Sequence, residues 1–428
     1  MNEYDTELVK SILTKENYAI VKTENEADIV MLNTCAVREN AHRKVYGRVH
    51  DIHHRREGRP VMIGILGCMA TNLRQELFEN RKLKIDFIAG PDSYKRLPDL
   101  IREAQGGEKA FDLTLSEFET YSDIYPARKE GINAWIAVMR GCNNFCTFCV
   151  VPYTRGRERS RSVDNIVGEV RNLAAEGYKQ VTLLGQNVNS YQHDDHDFAH
   201  LLEEVAKVNG IERVRFTSPH PKDFPDRMID AIASNPKLCK HLHVPMQSGN
   251  DRVLDMMNRT YTQKEYLGVI EKMRKRIPGV ALSTDVIVGF PTETDAEYED
   301  TFKVMKEVEF DSSFIFKYSE RKNTVAAKKF PDDVPEAIKT ERIVRLNDLQ
   351  KEQSLAKNRA YIGRVERVLI EAETTAKAEI RSRDEIQTRT DTNKIVILPA
   401  GCGKLGDFVN ARITDATVYV LKGEPVSQ

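Results

Sequence analysis

The sequence contains no apolar run that approaches the roughly eighteen residues of a membrane-spanning helix, and its N-terminus shows no signal-peptide pattern. It also lacks an excess of either charge. The net charge is −1 over 428 residues, so any surface for nucleic acid must be a local patch. Cysteine is scarce, with seven residues and no secretory signal, which argues against a disulfide framework and for thiols that serve metals or catalysis. We therefore expect a cytoplasmic protein with no membrane anchor, long enough for about two or three domains.

Three of the seven cysteines lie in one short loop, at Cys142, Cys146 and Cys149. Three thiolates so close in sequence can hold three irons of a cuboidal iron–sulfur cluster, which leaves the fourth iron open to a small molecule. A structural zinc site favours two separated cysteine pairs, and a bacterial ferredoxin run has two-residue gaps throughout with a fourth cysteine before proline. The loop fits neither pattern, so we interpret it as a cluster site with one open iron.

The loop continues as Val-Val-Pro-Tyr-Thr-Arg-Gly-Arg-Glu at 150–158. Loop and continuation together resemble the radical S-adenosylmethionine (SAM) enzymes, and most closely the MiaB-type tRNA methylthiotransferases, along essentially the whole chain. The resemblance implies that SAM binds the open iron of a 4Fe-4S cluster and is cleaved to a 5′-deoxyadenosyl radical. It further implies that a methylthio group is transferred to C2 of N6-isopentenyladenosine at tRNA position 37, in the anticodon loop. Breaking such an unactivated C–H bond requires a radical cofactor.

The segment 1–110 alternates helical and apolar-strand patterns, which predicts an α/β domain on a parallel sheet. Cys35 and Cys68 each follow an apolar run, at the sheet edge where open α/β sheets place ligands. The resemblance implies that both bind a second, auxiliary 4Fe-4S cluster together with a third cysteine. In the family, that cysteine precedes a Gln-Met-Asn run, whereas this sequence begins at Met1-Asn2. We interpret the sequence as lacking the extreme N-terminus of the family, and expect auxiliary-cluster binding to be weak or lost.

The segment 106–133 predicts a polar connector, and 128–357 predicts the radical SAM domain. Six strand-like runs with helical stretches between them predict a partial (β/α)6 barrel, whose chemistry collects at the carboxyl ends of its strands. The predicted strands are 132–139, 180–184, 213–216, 242–245, 280–288 and 313–318. A charged helical stretch at 334–359 is expected to link this domain to the next.

Residues for SAM are carried over from the resemblance, in the cluster loop and at the strand ends. The run 183–188 is expected near the amino and carboxylate groups of SAM, the pair 247–248 near a ribose or carboxylate, and the run 285–293 around the adenine. The cofactor-binding residues implied are Phe148, Gly185, Gln186, Asn187, Gln247, Ser248, Asp285 and Gly289. The run 318–324 resembles a family motif but lacks its usual proline and glycine, and receives no role.

The segment 358–424 predicts a small β-barrel of the oligonucleotide-binding kind, and resembles the TRAM domain. Five basic residues in it could contact phosphates: Arg381, Arg383, Arg389, Lys394 and Lys404. Three arginines that follow the cluster loop are predicted to bind substrate or the tRNA backbone, namely Arg155, Arg157 and Arg159. Cys239 and Cys402 have no metal-ligand spacing and are interpreted as structural.

Other activities share these motifs. A sister enzyme would modify N6-threonylcarbamoyladenosine in tRNA, and a related enzyme that modifies a ribosomal-protein aspartate fits the loop context less well. A non-catalytic iron–sulfur RNA-binding protein is the alternative from a different class. The enzyme interpretation implies a low-potential electron donor such as flavodoxin or ferredoxin, and we expect a monomer.

Overall fold

The computed structural model describes residues 1–35, 39–55, 60–74, 76–80, 83–128, 131–372 and 385–426. Three domains follow one another in the predicted order: an α/β domain, a partial (β/α) barrel and a small closed β-barrel. No helix within these ranges is long and apolar enough to cross a membrane.

The N-terminal domain is a parallel sheet between two helical layers. Its elements are α1 (Asn2–Lys15), β1 (Ile29–Asn33), α2 (Glu39–Arg55), β2 (Met62–Leu66), α3 (Cys68–Leu73), α4 (Glu76–Glu79), β3 (Phe87–Ala89), α5 (Leu97–Gln105) and β4 (Ala110–Asp112). The strand order is β1-β2-β3-β4. Alternation along β3 places Phe87 and Ala89 in a core with α1 and α5, whereas Ile88 packs with α2 and α3 on the opposite face.

Strand β4 lies in the segment that we predicted as a connector, and it crosses the predicted domain boundary at residue 110. It has three residues, of which Ala110 alone is buried, so it carries no periodic apolar signal. Beyond it, Tyr121 is fully buried and its hydroxyl donates to the Pro91 carbonyl at 3.0 Å. The connector is therefore anchored on the N-terminal domain rather than being an open linker.

The central domain contains the longest run of elements. In chain order these are β5 (Asn133–Ala137), β6 (Met139–Arg140), α6 (Val151–Arg155), β7 (Arg159–Ser160), α7 (Val163–Ala175), β8 (Gln180–Leu184), β9 (Gln192–His193), β10 (His196–Asp197), α8 (Phe198–Ala206), β11 (Arg213–Thr217), α9 (Asp226–Ser234), β12 (His241–His243), α10 (Asp251–Met256), α11 (Gln263–Arg276), β13 (Ala281–Val288), α12 (Asp295–Val308), β14 (Ser312–Lys317), α13 (Val325–Lys329) and α14 (Glu336–Arg359).

Six parallel strands of this domain form the predicted partial barrel. Two three-stranded sheets, β5-β8-β11 and β12-β13-β14, are joined by a parallel bridge between Val214 and Leu238. Each predicted strand coincides with an observed one, and the fold class is confirmed. Strand β13 is buried along nearly its whole length, as a strand covered on both faces must be. Because all six strands point the same way, their carboxyl ends share one edge with the cysteine loop that follows β5 and β6.

The C-terminal domain is a closed barrel of five strands, as predicted. Its strands are β15 (Val365–Ala372), β16 (Glu385–Arg389), β17 (Ile395–Pro399), β18 (Phe408–Ala416) and β19 (Leu421–Pro425), in the order β15-β16-β17-β19-β18. Arg213 and Arg215 on β11 donate to backbone carbonyls of this barrel, at 2.6–3.0 Å. The small barrel is therefore fixed against the central domain.

Candidate active site

The cysteine loop is closed by contacts that only glycine permits at its first position. Gly141 has a φ of +78°, and a Cβ atom there would lie 1.9 Å from the Arg157 carbonyl oxygen. Next to it, the Cys142 amide donates to the Gly156 carbonyl at 3.1 Å, and the Asn143 amide donates to Glu158 Oε1 at 3.1 Å. The run that follows the cysteines thus folds back and closes the loop on itself.

The three cysteine side chains are brought together where a cluster can be held. Cys142 and Cys146 are buried, Cys149 is half-buried, and the Cys149 amide donates to the Cys146 carbonyl at 2.9 Å. Burial, with the neighbouring thiols adding to it, raises the pKa of Cys142 to about 12 and of Cys149 to about 11. Such thiols need the positive charge of bound iron to become thiolates.

The donor set fits a cluster better than a single ion. Among the described residues, no three His, Cys, Asp or Glu side chains converge on a point that could hold one metal ion. A mononuclear zinc site requires such convergence, whereas a cuboidal cluster takes each thiolate on a different iron. The assignment of Cys142, Cys146 and Cys149 to three irons of a cluster stays a prediction.

Arg259 contacts the cluster loop, and the sequence did not point to it. Its guanidinium is buried and donates from Nη1 to Cys146 Sγ at 3.3 Å, from Nε to the Tyr261 hydroxyl at 3.0 Å and from Nη2 to the Pro245 carbonyl at 3.3 Å. A hydrogen-bonded cation beside a cluster thiolate stabilises the more negative, reduced state of the cluster. Since Arg259 lies 113 residues from Cys146, no local motif could reveal this contact.

The segment 318–324, to which we assigned no role, contacts the cysteine loop. Arg321 Nη1 donates to the Phe148 carbonyl at 3.5 Å, and Asn323 Nδ2 donates to the Asn72 carbonyl of α3 at 3.2 Å. The Phe148 side chain packs against a small apolar cluster that includes Val253 and Phe290. This segment therefore joins the cluster loop to the N-terminal domain.

The loop after β8 contains side-chain hydrogen-bond acceptors near the carboxyl ends of the strands. Gly185 leaves no room for a side chain, because a Cβ atom would lie 2.8 Å from Met139 Cγ and from Val188 Cα. Gln186 Oε1 and Asn187 Oδ1 are buried and have no hydrogen-bond partner within the described structure, while Asn187 Nδ2 donates to Asp223 at 2.9 Å. Buried acceptors of this kind suit a donor group on a ligand, such as an ammonium.

Two of the implied SAM contacts are already occupied by the protein. The Ser248 hydroxyl is fully buried and lies 3.3 Å from Thr301 Oγ1 on α12. The Gly289 amide donates to Glu293 Oε2 at 2.6 Å. Gly289 is required for space instead, since a Cβ atom would lie 2.4 Å from Lys339 Cγ. The roles expected of these two residues at SAM stay predictions, and in this structure Ser248 contacts helix α12 while Gly289 lies against helix α14.

Gln247 and Asp285 lie on neighbouring strand ends. Gln247 has a φ of +69°, and its amide donates to the Asp285 carbonyl at 2.8 Å. The Asp285 carboxylate is 3.2 Å from His243 Nε2. Both side chains remain candidates for cofactor or substrate, and Asp285 with His243 lines the main cavity.

That cavity has a volume of about 960 Å³ and runs through the barrel interior, from Asn133 at the start of β5 to Ser218 beyond the end of β11. Trp135 and Phe314 line its walls. The C-terminal barrel contributes Arg389, whose guanidinium donates from Nε to Glu371 at 2.7 Å. Pockets for small ligands commonly measure roughly 300–1,000 Å³, so a nucleoside fits this space.

The arginines after the loop divide into two groups. Arg155 is buried and donates to Asp5 Oδ2 at 2.6 Å and to Cys68 Sγ at 3.1 Å. Arg159 is buried and donates to both carboxylate oxygens of Asp92, at 2.9 and 3.0 Å. Carboxylates of the N-terminal domain pair with both guanidinium groups, and the expectation that Arg155 and Arg159 bind substrate stays a prediction without support from these contacts. Arg157 is exposed above the Phe145 ring and stays a candidate for RNA.

The basic residues of the C-terminal barrel differ in their availability. Lys394 forms an ion pair with Asp311 at 2.7 Å and is nearly buried, so it ties the barrel to the central domain. Lys404 is exposed. Arg381 and Arg383 lie outside the described residues.

Cys35 and Cys68 come together at one edge of the N-terminal sheet. Asn33 pairs with Leu66 at the ends of β1 and β2, and each cysteine follows two residues later. Cys35 is exposed and Cys68 is buried at the start of α3, which packs against α6. Helix α6 begins two residues after Cys149. This short helix therefore lies between the cysteine loop on one side and the sheet edge that carries Cys35 and Cys68 on the other.

His220 gives a pH-dependent prediction. Its ring is buried against Tyr261, and burial, with Arg259 nearby, lowers its pKa from 6.5 to about 2. The unfolded chain binds a proton here below pH 6.5 and the folded protein does not, so stability falls as the pH drops from 6.5. We expect His220→Gln to remove up to about 1.4 kcal/mol per pH unit of this slope.

The measurement is urea unfolding of both proteins from about pH 8 down to about pH 5. Above pH 7, the difference between the wild type and His220→Gln should be constant, which is the internal control. A variant whose stability declines as steeply as that of the wild type between pH 6.5 and about pH 5 would show that the ring is protonated in the folded state.

Comparison with known proteins identifies the families to which the three parts of the chain are similar. Family models match for the radical SAM superfamily over residues 136–305, for an uncharacterized protein family (UPF0004) over 1–90 and for the TRAM domain over 359–426. A relative from Phocaeicola vulgatus, a tRNA-2-methylthio-N(6)-dimethylallyladenosine synthase, is 44% identical over 100% of this chain and 94% of the relative. The chain belongs to this family. A relative of the same name from Chloroherpeton thalassium is 46% identical, over 99% of this chain and 93% of the relative's length.

Solved structures similar to this family member share the architecture. The radical SAM methyltransferase TsrM from Kitasatospora setae, whose structure holds cobalamin and a [4Fe-4S] cluster, has a TM-score of 0.59 with 14% identity. The match covers 76% of this chain and 71% of TsrM. The cobalamin-dependent enzyme OxsB matches with a TM-score of 0.51 and 12% identity, and the match covers 81% of this chain and 53% of the OxsB chain. At these identities, the likeness supports the fold alone.

Proposed function

We propose that this chain converts N6-dimethylallyladenosine (isopentenyladenosine) in tRNA to its 2-methylthio derivative. One observation carries the proposal: the chain is 44% identical, over its full length, to a synthase named for this reaction. The geometry agrees with it, since a three-cysteine loop lies at the carboxyl edge of a barrel whose interior is large enough for a nucleoside.

Cys142, Cys146 and Cys149 are the residues that would hold the cluster, and three thiolate ligands would leave it a position for SAM. When bound, the cluster and SAM supply a carbon radical that can break an aromatic C–H bond, which no side chain can do. The buried acceptors of Gln186 and Asn187 are placed to receive the SAM ammonium. Arg259 donates a hydrogen bond to Cys146 Sγ and would stabilise the negative charge of its thiolate form.

The target base enters the main cavity. A base in a single-stranded loop can leave its stack at modest cost, which makes the anticodon loop a suitable substrate. Trp135 and Phe314 offer apolar walls to the base, and His243 with Asp285 offers hydrogen-bonding groups. Arg157 and Lys404 are exposed, which supports a role for both in binding the RNA backbone.

An auxiliary cluster would be held by Cys35 and Cys68 and would supply the sulfur that is transferred, although the chain offers two thiols here in place of the family's three. Its support is the placement of both cysteines at one edge of the sheet, across helix α6 from the cysteine loop. The start of α1 reaches the same edge, where Asn2 Nδ2 donates to the Asn33 carbonyl at 3.0 Å. The electron donor (flavodoxin or ferredoxin), the monomeric state and the cytoplasmic location stay predictions.

The test is mass spectrometry of tRNA nucleosides from a strain that lacks the gene. We expect loss of 2-methylthio-N6-isopentenyladenosine, with accumulation of the unmethylthiolated base, and recovery when the wild-type gene is returned. A gene carrying Cys149→Ala is the matched control and should not restore the product. Loss of the methylthio group from threonylcarbamoyladenosine alone would assign the sister activity, and an unchanged nucleoside profile would contradict the proposal.

A further inference from the structure

We infer that Arg259 sets the reduction potential of the cluster in the cysteine loop, and with it how strong an electron donor the cleavage of SAM requires. Arg259 would act as a positioning residue, because it holds a charged hydrogen-bond donor on the sulfur of Cys146. The inference rests on the proposed cluster at Cys142, Cys146 and Cys149. It goes beyond the proposed reaction, since it concerns the supply of the electron that the reaction consumes.

The first observation is that Arg259 is buried without an acidic partner. In the described part of the chain, its guanidinium meets the Tyr261 hydroxyl, the Pro245 carbonyl and Cys146 Sγ, and it forms no ion pair with a carboxylate. Most other buried arginines do form such pairs: Arg140 and Arg155 with Asp5, Arg159 with Asp92, Arg161 with Glu169, and Arg342 with Glu293.

This difference points to the cysteine sulfur as the counter-charge. A carbonyl carries no net charge, and burial raises the pKa of Tyr261, so its hydroxyl stays neutral. The sulfur of Cys146 is then the acceptor that becomes an anion when iron is bound. Leaving an ion uncompensated in a protein interior is costly, so a buried guanidinium without a carboxylate is expected beside another source of negative charge.

The second observation is that Tyr261 fixes the direction of the guanidinium. The Tyr261 hydroxyl accepts from Arg259 Nε at 3.0 Å and donates to the Met246 carbonyl at 2.8 Å. On the far side of the fork, Arg259 Nη2 donates to the Pro245 carbonyl at 3.3 Å. Both carbonyls directly follow strand β12, so the guanidinium is held on the barrel edge and its Nη1 is directed to the loop.

The third observation is that the turn carrying Arg259 also holds the loop around Cys146. The Thr147 amide, one residue after Cys146, donates to the Met257 carbonyl at 3.0 Å. Asn258 Nδ2 donates to the Phe145 carbonyl, one residue before Cys146, at 3.1 Å. Hydrogen bonds on both sides of the cysteine therefore keep its sulfur within reach of the guanidinium.

A comparison with Cys149 shows why the charged donor matters. Cys149 Sγ accepts the neutral Val151 amide at 3.5 Å, whereas Cys146 Sγ accepts a guanidinium at 3.3 Å. Charge-assisted hydrogen bonds are roughly twice as strong as neutral ones. Because an added electron makes the cluster more negative, a buried cation on one of its sulfurs favours the reduced state and raises the reduction potential.

The experiment compares the wild type with Arg259→Met, Arg259→Gln and Arg259→Lys, each reconstituted anaerobically as the full chain. Arg213→Met is the matched control: Arg213 is also buried without a carboxylate, but it meets two carbonyls of the C-terminal barrel from the amino end of β11. Iron per chain is counted, with about four expected for one cube. The midpoint potential is measured by electron paramagnetic resonance on the signal that changes when SAM is added.

We expect Arg259→Met to keep the iron of the loop cluster and to show about a tenfold lower ratio of reduced to oxidised cluster at a fixed solution potential. For a one-electron couple this corresponds to a midpoint about 59 mV lower. Arg259→Lys keeps the charge without the forked donor and should recover part of the shift. Arg213→Met should match the wild type. Cleavage of SAM by Arg259→Met should be slow with dithionite and approach the wild-type rate with a reductant of lower potential.

A wild-type midpoint in Arg259→Met, or an equal shift in Arg213→Met, overturns the inference and leaves the cluster assignment intact. Should Arg259→Met lose its iron, Arg259→Gln decides by the same criterion, since it keeps an amide donor without the charge. A wild-type chain with no signal that responds to SAM overturns the proposed cluster and the inference together.

Discussion

Replacing Cys149 with alanine is expected to abolish cleavage of SAM. The variant leaves two thiolates in the loop, and two ligands hold a cuboidal cluster poorly while exposing a second iron. The alanine also removes the Sγ that accepts the Val151 amide at 3.5 Å, which is a small loss beside that of the ligand. The dithionite-reduced variant should therefore form 5′-deoxyadenosine at the rate of a protein-free reaction.

Cys402→Ala is the control for this experiment. Cys402 is half-buried beside the core of the C-terminal barrel and lies far along the chain from the loop. We expect it to cleave SAM at the wild-type rate and to bind the same amount of iron. If Cys149→Ala cleaved SAM as the wild type does, the assignment of the loop to the SAM-binding cluster would be wrong.

The features that the sequence predicted are those encoded over a short stretch. The cysteine spacing of the loop needs nine residues, and a barrel strand such as β13 shows its apolar run within eight. The small C-terminal barrel was predicted in the same way, from short alternating strands separated by glycines. Strand β4 was missed because three residues with one buried side chain carry no periodicity.

Pairings across the chain could not be predicted. Arg155 meets Asp5 from 150 residues away, and Arg159 meets Asp92 from 67, so their position directly after the cluster loop did not reveal these ion pairs. The position of an arginine in the sequence does not predict its ion-pair partner, because the tertiary structure determines which carboxylate lies next to it. Arg259 illustrates the converse, since nothing in its neighbours pointed to Cys146.

Motifs at strand ends predicted the location of their residues but not the hydrogen bonds that two of them make within the protein. Ser248 and Gly289 lie at the carboxyl edge of the barrel, as expected, but their polar groups are taken by Thr301 and Glu293. A motif identifies the loop, whereas the hydrogen bonds of each atom depend on helices α12 and α14, which pack on it from elsewhere. The unpartnered acceptors of Gln186 and Asn187 became visible only in the structure.

Asp5→Asn is expected to cause a large loss of stability at the junction of the N-terminal and central domains. Although burial opposes ionisation, Arg155 and Arg140 hold the pKa of Asp5 below its usual value, so the carboxylate is charged at neutral pH. The amide leaves two buried guanidinium groups without a counter-charge, and removing one partner of a buried ion pair costs about 3–5 kcal/mol. The effect is expected at this junction because Arg140 and Arg155 belong to the central domain.

Tryptophan fluorescence is a suitable probe, because Trp135 is the single tryptophan and packs against the N-terminal core from strand β5. In urea, the fluorescence transition of Asp5→Asn should move to a clearly lower midpoint. Asp226→Asn is the matched control: Asp226 also meets two cations, Lys272 at 2.7 Å and Arg276 at 2.8 Å, but it is exposed and its pairs are screened by water. Equal midpoints for the two variants would mean that the buried carboxylate does not hold the domains together.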